Sequence, residues 1–185
     1  MSLVKLDMTM SLDGYSTGEG GDLSRVQAWL IGENGPTGSS AEVVGDFFAS
    51  TGAWVMGRRT FDTGEEPWGA EPPFAKPCFV VTHETRDRLV KGATSFDFVP
   101  GVELAVAQAK EAADGRDVTV IGGADIAQQC LSAGILDQID IHLAPLLLGA
   151  GTRLFDRLNI KPTDLGIVRV TDSPDVTHLR FTVNR

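Results

Sequence analysis

Val118-Thr-Val-Ile-Gly-Gly-Ala-Asp-Ile-Ala-Gln-Gln-Cys-Leu131 is the stretch whose reading decides the fold. A short apolar run, Val118, Val120 and Ile121, stops at Gly122-Gly123 and a helical pattern begins at once. Ile126 and Cys130 repeat at i, i+4, as do Ala127 and Leu131. A buried strand that feeds a helix through two glycines leaves backbone N–H groups bare at the helix start. With the helix dipole, those donors suit a phosphate. A tight turn that needs φ > 0 would use the same glycines.

A second segment of the same kind adds weight to the phosphate reading. In Ala53-Trp-Val-Met-Gly-Arg-Arg-Thr-Phe-Asp62 an apolar strand ends at Gly57 and the next helical turn carries Arg58, Arg59 and Thr60. Cations suit the C-terminal end of a helix, so arginine here makes sense where an anion sits and takes bidentate hydrogen bonds. The alternative is a solvated arginine pair.

Outward from these two segments, strands and helices alternate, which implies a mostly parallel sheet with helices on both faces. The pattern predicts strands near 3–9, 53–57, 77–82, 94–98 and 117–121, and helices near 24–31, 40–50, 58–63, 101–113 and 123–133. In the 101–113 helix Val102, Val106, Ala109 and Ala113 form a single stripe. From Leu136 on, Ile139, Ile141 and Leu143 alternate with polar residues, the pattern of a strand exposed on one side. Residues 166–171 and 175–183 should form an antiparallel hairpin turning at Ser173-Pro174. Glycine and proline cluster at 14–21, 32–38 and 64–77, marking loops inside one domain. In the 64–77 loop Trp68 and Phe74 are read as pins to the body.

At 185 residues the chain can bury a full core as a single domain, and 42% apolar with 22% charged residues is ordinary for a globular protein. A net charge of −9 argues against nucleic acid or an anionic membrane as partner. Lys5 and Asp7 interrupt the N-terminal apolar residues, so no signal peptide or membrane span is read there. Cys78 and Cys130 are expected as buried free thiols in a reducing cytoplasm. His83, His142 and His178 are too scattered to indicate a metal site, and none is expected.

Met56-Gly-Arg-Arg-Thr-Phe61 followed by Val120-Ile-Gly-Gly-Ala124 resembles the pair of cofactor loops in dihydrofolate reductases. It also resembles those in the reductase domain of the riboflavin-biosynthesis deaminase–reductase (RibD C-terminal type). Met10-Ser-Leu-Asp-Gly14 resembles the end of that superfamily's first strand. Pro145-Leu-Leu-Leu-Gly-Ala-Gly-Thr-Arg-Leu-Phe155 resembles a segment of the riboflavin-type branch. The four segments stand in the family's order from residue 8 to 155.

The resemblance implies a three-layer α/β/α dihydrofolate reductase-like fold, its mixed sheet mostly parallel with a C-terminal antiparallel hairpin, and NADPH as cofactor. Gly57, Arg58, Arg59, Thr60, Thr82, His83, Gly122, Gly123, Ala124, Asp125 and Ile126 would hold that cofactor. Arg58 and Thr60 would take the 2′-phosphate, and Thr82 fits this role better than His83. A cis peptide is implied between Gly122 and Gly123, with the Asp125 side chain turned away. Asp13, Gly14 and Tyr15 begin a glycine-rich lid over nicotinamide and substrate, and Lys76 falls near the place of a substrate-tail cation. The proton donor would sit in the first turn of the helix before the Met56-Gly57 strand. Counting back leads to Ala41, making Glu42 the nearest candidate and Asp46 the next, one turn on. Glu42 also reads as an ordinary residue of a helix start.

Two departures narrow the substrate. The Pro-Trp pair before the catalytic acid of dihydrofolate reductases is missing, and no lysine or arginine lies between Arg25 and Arg58. The expectation is an NADPH-dependent oxidoreductase that transfers a hydride to a small heterocyclic or sugar-like substrate. Candidate activities are 5-amino-6-(5-phosphoribosylamino)uracil reduction and a dihydrofolate reductase-like reaction. The competing expectation is a non-catalytic sensor that binds NADPH. The partners expected are a small-molecule substrate and, at most, a second copy of the chain as a homodimer.

Overall fold

The computed structural model describes residues 2–33, 35–156 and 158–184. Its order is β1 (Val4–Ser11), β2 (Tyr15–Thr17), α1 (Ala28–Ile31), α2 (Gly38–Ser50), β3 (Thr51–Gly57), α3 (Arg58–Glu65), β4 (Pro77–Val81) and β5 (Leu89–Lys91). There follow β6 (Thr94–Val99), α4 (Val102–Ala112), β7 (Asp117–Val120), α5 (Ala124–Ser132), β8 (Gln138–Ala144), β9 (Thr152–Arg153), β10 (Leu165–Ser173) and β11 (Val176–Val183). Nine strands form one sheet in the order β10-β11-β8-β1-β7-β3-β4-β6-β5. The six from β8 to β6 run parallel, while β11 and β5 are antiparallel to their neighbours.

Alternation along the central strands explains the layers, because successive side chains point to opposite faces. Leu6, Ala53, Val55, Val118, Val120, Ile139 and Ile141 face one way and pack under Val102, Val106, Ala109, Ile126 and Cys130 of α4 and α5. Trp54, Met56, Cys78 and Val80 face the other way, onto Phe61 of α3 and Phe47 and Phe48 of α2. Trp68 and Phe74 join that second cluster, with Trp68 in contact with Phe61, Phe74 and Phe96. The 64–77 loop is therefore pinned to the body. Both cysteines are buried free thiols.

The predicted elements are present, with the short strands β2, β5 and β9 in addition and three differences in bounds or burial. Residues 24–27 form turns, and only Ala28–Ile31 is helical. The hairpin pairs Ser173 with Val176, so its two-residue turn is Pro174-Asp175. The largest difference is β8, expected to be wet on one side. Gln138, Asp140 and His142 are all under a tenth exposed. Here β8 lies between β1 and β11, and α2 packs over the hairpin strands. The polar side of the alternation is thus an interior layer.

Candidate functional site

The parallel strands β7, β3 and β4 all end at one edge of the sheet, and both phosphate-type loops emerge there. In open α/β sheets ligands gather at this edge. The two loops are joined directly, since the Gly57 N–H donates to the Gly122 carbonyl at 2.7 Å. No side chain caps either helix start: Gly57 is the N-cap of α3, and Gly123 that of α5. Glycine is required at both loops. A Cβ on Gly57 would lie 2.8 Å from Ile126 Cγ1. Gly122 has φ +136, and a Cβ there would lie 3.0 Å from the Thr60 hydroxyl. Bare N–H groups at two helix ends, stitched backbone to backbone, form a cradle suited to an anion. The Gly122–Gly123 peptide is cis. Ala124 and Ile126 are buried beneath the loop, and Asp125 is turned along α5 to accept a hydrogen bond from Gln129 at 2.7 Å.

The cationic side of this cradle is already engaged. Arg58 Nε donates to Asp62 at 2.6 Å, and its Nη1 donates to Glu84. Thr82 is half-buried, and its hydroxyl accepts from the Glu84 N–H at 3.1 Å. Arg59 and His83 are exposed. Thus α3 and the segment after β4 meet through Arg58 and Glu84, a contact with no signature in either motif. Lys76 does not join these residues. It precedes β4, whereas Thr82 follows it, so a strand of about 16 Å separates them. Burial pulls the Lys76 ammonium below its usual range, as does the neighbouring charge of Arg116.

The expected lid is a tied structure. β2 pairs with β9, bringing Tyr15 opposite Arg153. The Asp13 carboxylate accepts from Ser11 Oγ at 2.5 Å and from the N–H groups of Leu148 and Gly149 at 3.1 and 2.7 Å. The Ser11 hydroxyl chiefly holds the Asp13 pKa down to about 2; burial, the next largest effect, opposes it, and the Gly149 and Leu148 amides add to the lowering. Leu154 N–H donates to the Gly14 carbonyl at 2.9 Å, Arg153 donates to the Asp13 carbonyl at 3.0 Å, and its guanidinium sits 4.5 Å over the Tyr15 ring. The segments Met10–Gly14 and Pro145–Phe155, distant in sequence, form a single unit here.

The α2 candidates stand on the wet side of their helix. Glu42 and Asp46 are exposed, and Asp46 lies 3.6 Å from Arg169. The first turn of α2 is nonetheless wired inward through Ser40, which is 3% exposed. Its Oγ lies 2.9 Å from His178 Nε2 and donates to Ser173 Oγ at 2.9 Å. His178 Nδ1 lies 2.7 Å from His142 Nδ1, and His142 Nε2 lies 3.1 Å from Asp7 Oδ1. Trp29 roofs both imidazoles, with ring centroids 4.9 and 5.1 Å away, and donates to Thr9 at 3.3 Å. Beside this chain Arg180 makes a two-pronged bond to Asp140 at 2.8 and 3.2 Å. Burial alone would depress His142, but Asp7 at contact distance and Asp140 beyond it outweigh burial and hold its pKa above the ordinary value. Burial and the neighbouring His142 push His178 down to about 4. His142 and His178, scattered in sequence, meet because β8 and β11 pair them directly. The hairpin also brings two cations beside α2, Arg169 paired with Asp46 and Arg180 paired with Asp140.

The fold defines a dihydrofolate reductase-like α/β domain, with two uncapped helix starts at one sheet edge. The RibD C-terminal domain model matches residues 2–179, and the chain belongs to that family. A curated relative, the uncharacterised protein YyaP of Bacillus subtilis (strain 168), is 24% identical over 170 residues, covering 84% of each chain. Among solved structures, a protein of Shewanella sp. PV-4 assigned provisionally to riboflavin biosynthesis superposes with TM-score 0.75. It is 23% identical and covers 99% of both chains. The diaminohydroxyphosphoribosylaminopyrimidine deaminase/5-amino-6-(5-phosphoribosylamino)uracil reductase of Thermotoga maritima superposes with TM-score 0.68 at 14% identity. There the match covers 99% of this chain and 57% of that one.

Proposed function

We propose that this protein is an NADPH-dependent reductase of the pyrimidine-reductase kind. It would deliver a hydride to a C=N or C=O group of a small heterocyclic or sugar-like molecule, with 5-amino-6-(5-phosphoribosylamino)uracil as the first candidate. The observation that carries the reading is the stitched pair of uncapped helix starts at Gly57 and Gly122-Gly123. Family membership supports it, as does the reductase activity in the name of the Thermotoga maritima relative.

The residues fit the cofactor. The α5 start would take the pyrophosphate on the N–H groups of Ala124, Asp125 and Ile126. Arg58, Thr60 and Thr82 would take the 2′-phosphate, with Arg59 and His83 at its outer side. When bound, the dihydronicotinamide supplies the hydride. Asp13, Gly14 and Tyr15 would hold the tied ribbon over the cleft and exclude water. Measuring NADPH oxidation with 5-amino-6-(5-phosphoribosylamino)uracil, then with pteridines and aldehydes, tests this reading. Turnover on at least one acceptor is expected.

The exposure of Glu42 and Asp46 favours a second reading, a sensor that binds NADPH without chemistry. Tight NADPH binding with no turnover on any acceptor would select it.

A further inference from the structure

Each hydride added to a C=N group requires one proton, and neither carboxylate of α2 is placed to keep one out of water. The first turn of α2 instead presents Ser40, which ends a continuous buried chain: Asp7, His142, His178, Ser40. Four features set this chain apart from incidental core polarity. Its links measure 3.1, 2.7 and 2.9 Å. Both imidazoles are buried, at 6% and 5% exposure. Trp29 covers them. Its outer end lies at the β10–β11 turn, on the strand edge from which the cofactor loops emerge.

We infer that Asp7, His142, His178 and Ser40 form a proton relay that stores one proton beside Asp7 and delivers it through Ser40 to the substrate. The inference rests on the reductase reading above.

The geometry defines the two states. Two imidazole nitrogens 2.7 Å apart hold one proton between them. In the loaded state His142 is an imidazolium, donating from Nε2 to Asp7 and from Nδ1 to His178. His178 is neutral with its proton on Nε2, donating to Ser40, and Ser40 donates outward toward Ser173. On discharge the Ser173 hydroxyl proton leaves for the nitrogen of the C=N group while the hydride reaches its carbon, and the Ser40 hydroxyl proton moves to Ser173 Oγ. The His178 Nε2 proton moves to Ser40 Oγ, and the His142 Nδ1 proton moves to His178 Nδ1. One proton has left, both imidazoles are neutral, the C=N bond is reduced by two electrons and the dihydronicotinamide is oxidised by two. After product leaves, a solvent proton retraces the path.

The charges on the neighbouring elements oppose one another in pairs, and Asp7 remains to hold the loaded state. On β8, Asp140 adds negative potential, but β11 answers it with Arg180. On β10, Arg169 is answered by Asp46 of α2. On β1, Lys5 is held at the far end by Asp117. Asp7 is left as the partner of the imidazolium. The raised His142 and lowered His178 agree with one charged and one neutral ring.

Two measurements on the whole protein test the relay. The first is an NMR titration of nitrogen-labelled histidine. Near neutral pH, one buried ring should be doubly protonated and the other neutral with its proton on Nε2, and the pair should lose a single proton as pH rises. The second is NADPH oxidation with 5-amino-6-(5-phosphoribosylamino)uracil. His178→Gln and Ser40→Ala should each lower kcat about 10²-fold with NADPH affinity kept within about twofold. Wild type should show an alkaline fall in kcat and a solvent deuterium effect. His178→Gly should recover activity with added imidazole, which a merely structural histidine would not. Wild-type kcat in folded Ser40→Ala and His178→Gln, or two neutral rings at neutral pH, overturns the relay. Normal ring titration with NADPH bound but no oxidation on any acceptor overturns the reductase reading instead, and with it any role for the proton.

Discussion

The two faces of β1, β8 and β11 are both covered by other elements and are chemically opposite. One carries Leu6, Ile139 and Ile141 into the layer under α4 and α5. The other carries Asp7, Asp140, His142, His178 and Arg180 beneath α2 and Trp29. An apolar face gains stability from burial alone. A polar face costs stability unless each group finds a partner. Here each does: Asp7 with His142, Asp140 with Arg180 and Gln138, His178 with Ser40. Burial therefore does not distinguish scaffold from site in this half of the sheet, but completeness of pairing does.

Substitutions on the two faces should break the comparison if it is wrong. Asp7→Asn leaves a buried imidazolium without its anion and should cost about 3–5 kcal/mol in urea unfolding, with loss of turnover. Leu6→Ala on the opposite face should cost about 2–5 kcal/mol yet leave kcat per folded molecule unchanged. Equal effects on kcat would erase the distinction between the faces. At the cofactor edge, Arg58→Ala should weaken NADPH by roughly ten- to a hundredfold and NADH far less, the loss of a charge-assisted phosphate contact worth about 1.5–3 kcal/mol. Equal losses would remove Arg58 from the 2′-phosphate.

The smaller effects sharpen the picture. The folded-state pKa of Asp13 lies below its ordinary value, so its clamp on Leu148 and Gly149 is complete above the usual carboxylate range. It is lost as pH falls toward about 2. Limited proteolysis of the 14–21 segment should accelerate over that acid range in wild type and at neutral pH in Asp13→Asn. The smallest change expected is from Glu84→Gln. It frees one side of Arg58 at an exposed, solvent-screened pair, and should tighten NADPH by a few-fold in equilibrium titration.

The edge with the two glycine loops was legible in the sequence because its information is local. Gly57 and Gly122-Gly123 each sit between an apolar strand and a periodic helix, and four short segments carried the resemblance. The polar layer was not legible. His142 and His178 are 36 residues apart and meet only through the β8–β11 register. Alternation along β8 shows that one side is polar but not what covers it. Under the relay proposal the α2 reading named the turn that carries Ser40 but chose residues on its outer side. Ser40 and Glu42 are two residues apart, roughly 200° around the helix, so one looks inward and the other to solvent. The Arg58–Glu84 contact escaped notice for a related reason, since Glu84 lies in no motif and reaches Arg58 only once β3 and β4 are paired.

The order of elements along the chain also sets an order of competence during synthesis. Every residue of the two cofactor loops is translated before β11, the strand that delivers His178 and seals Asp140 with Arg180. A growing chain could therefore assemble its nucleotide cradle while Asp7 and His142 still stand open to water. Insertion of β11 between β8 and β10 closes that half of the sheet. On the proposed reading, every residue of the nucleotide cradle is thus made before the strand that completes the path of the proton.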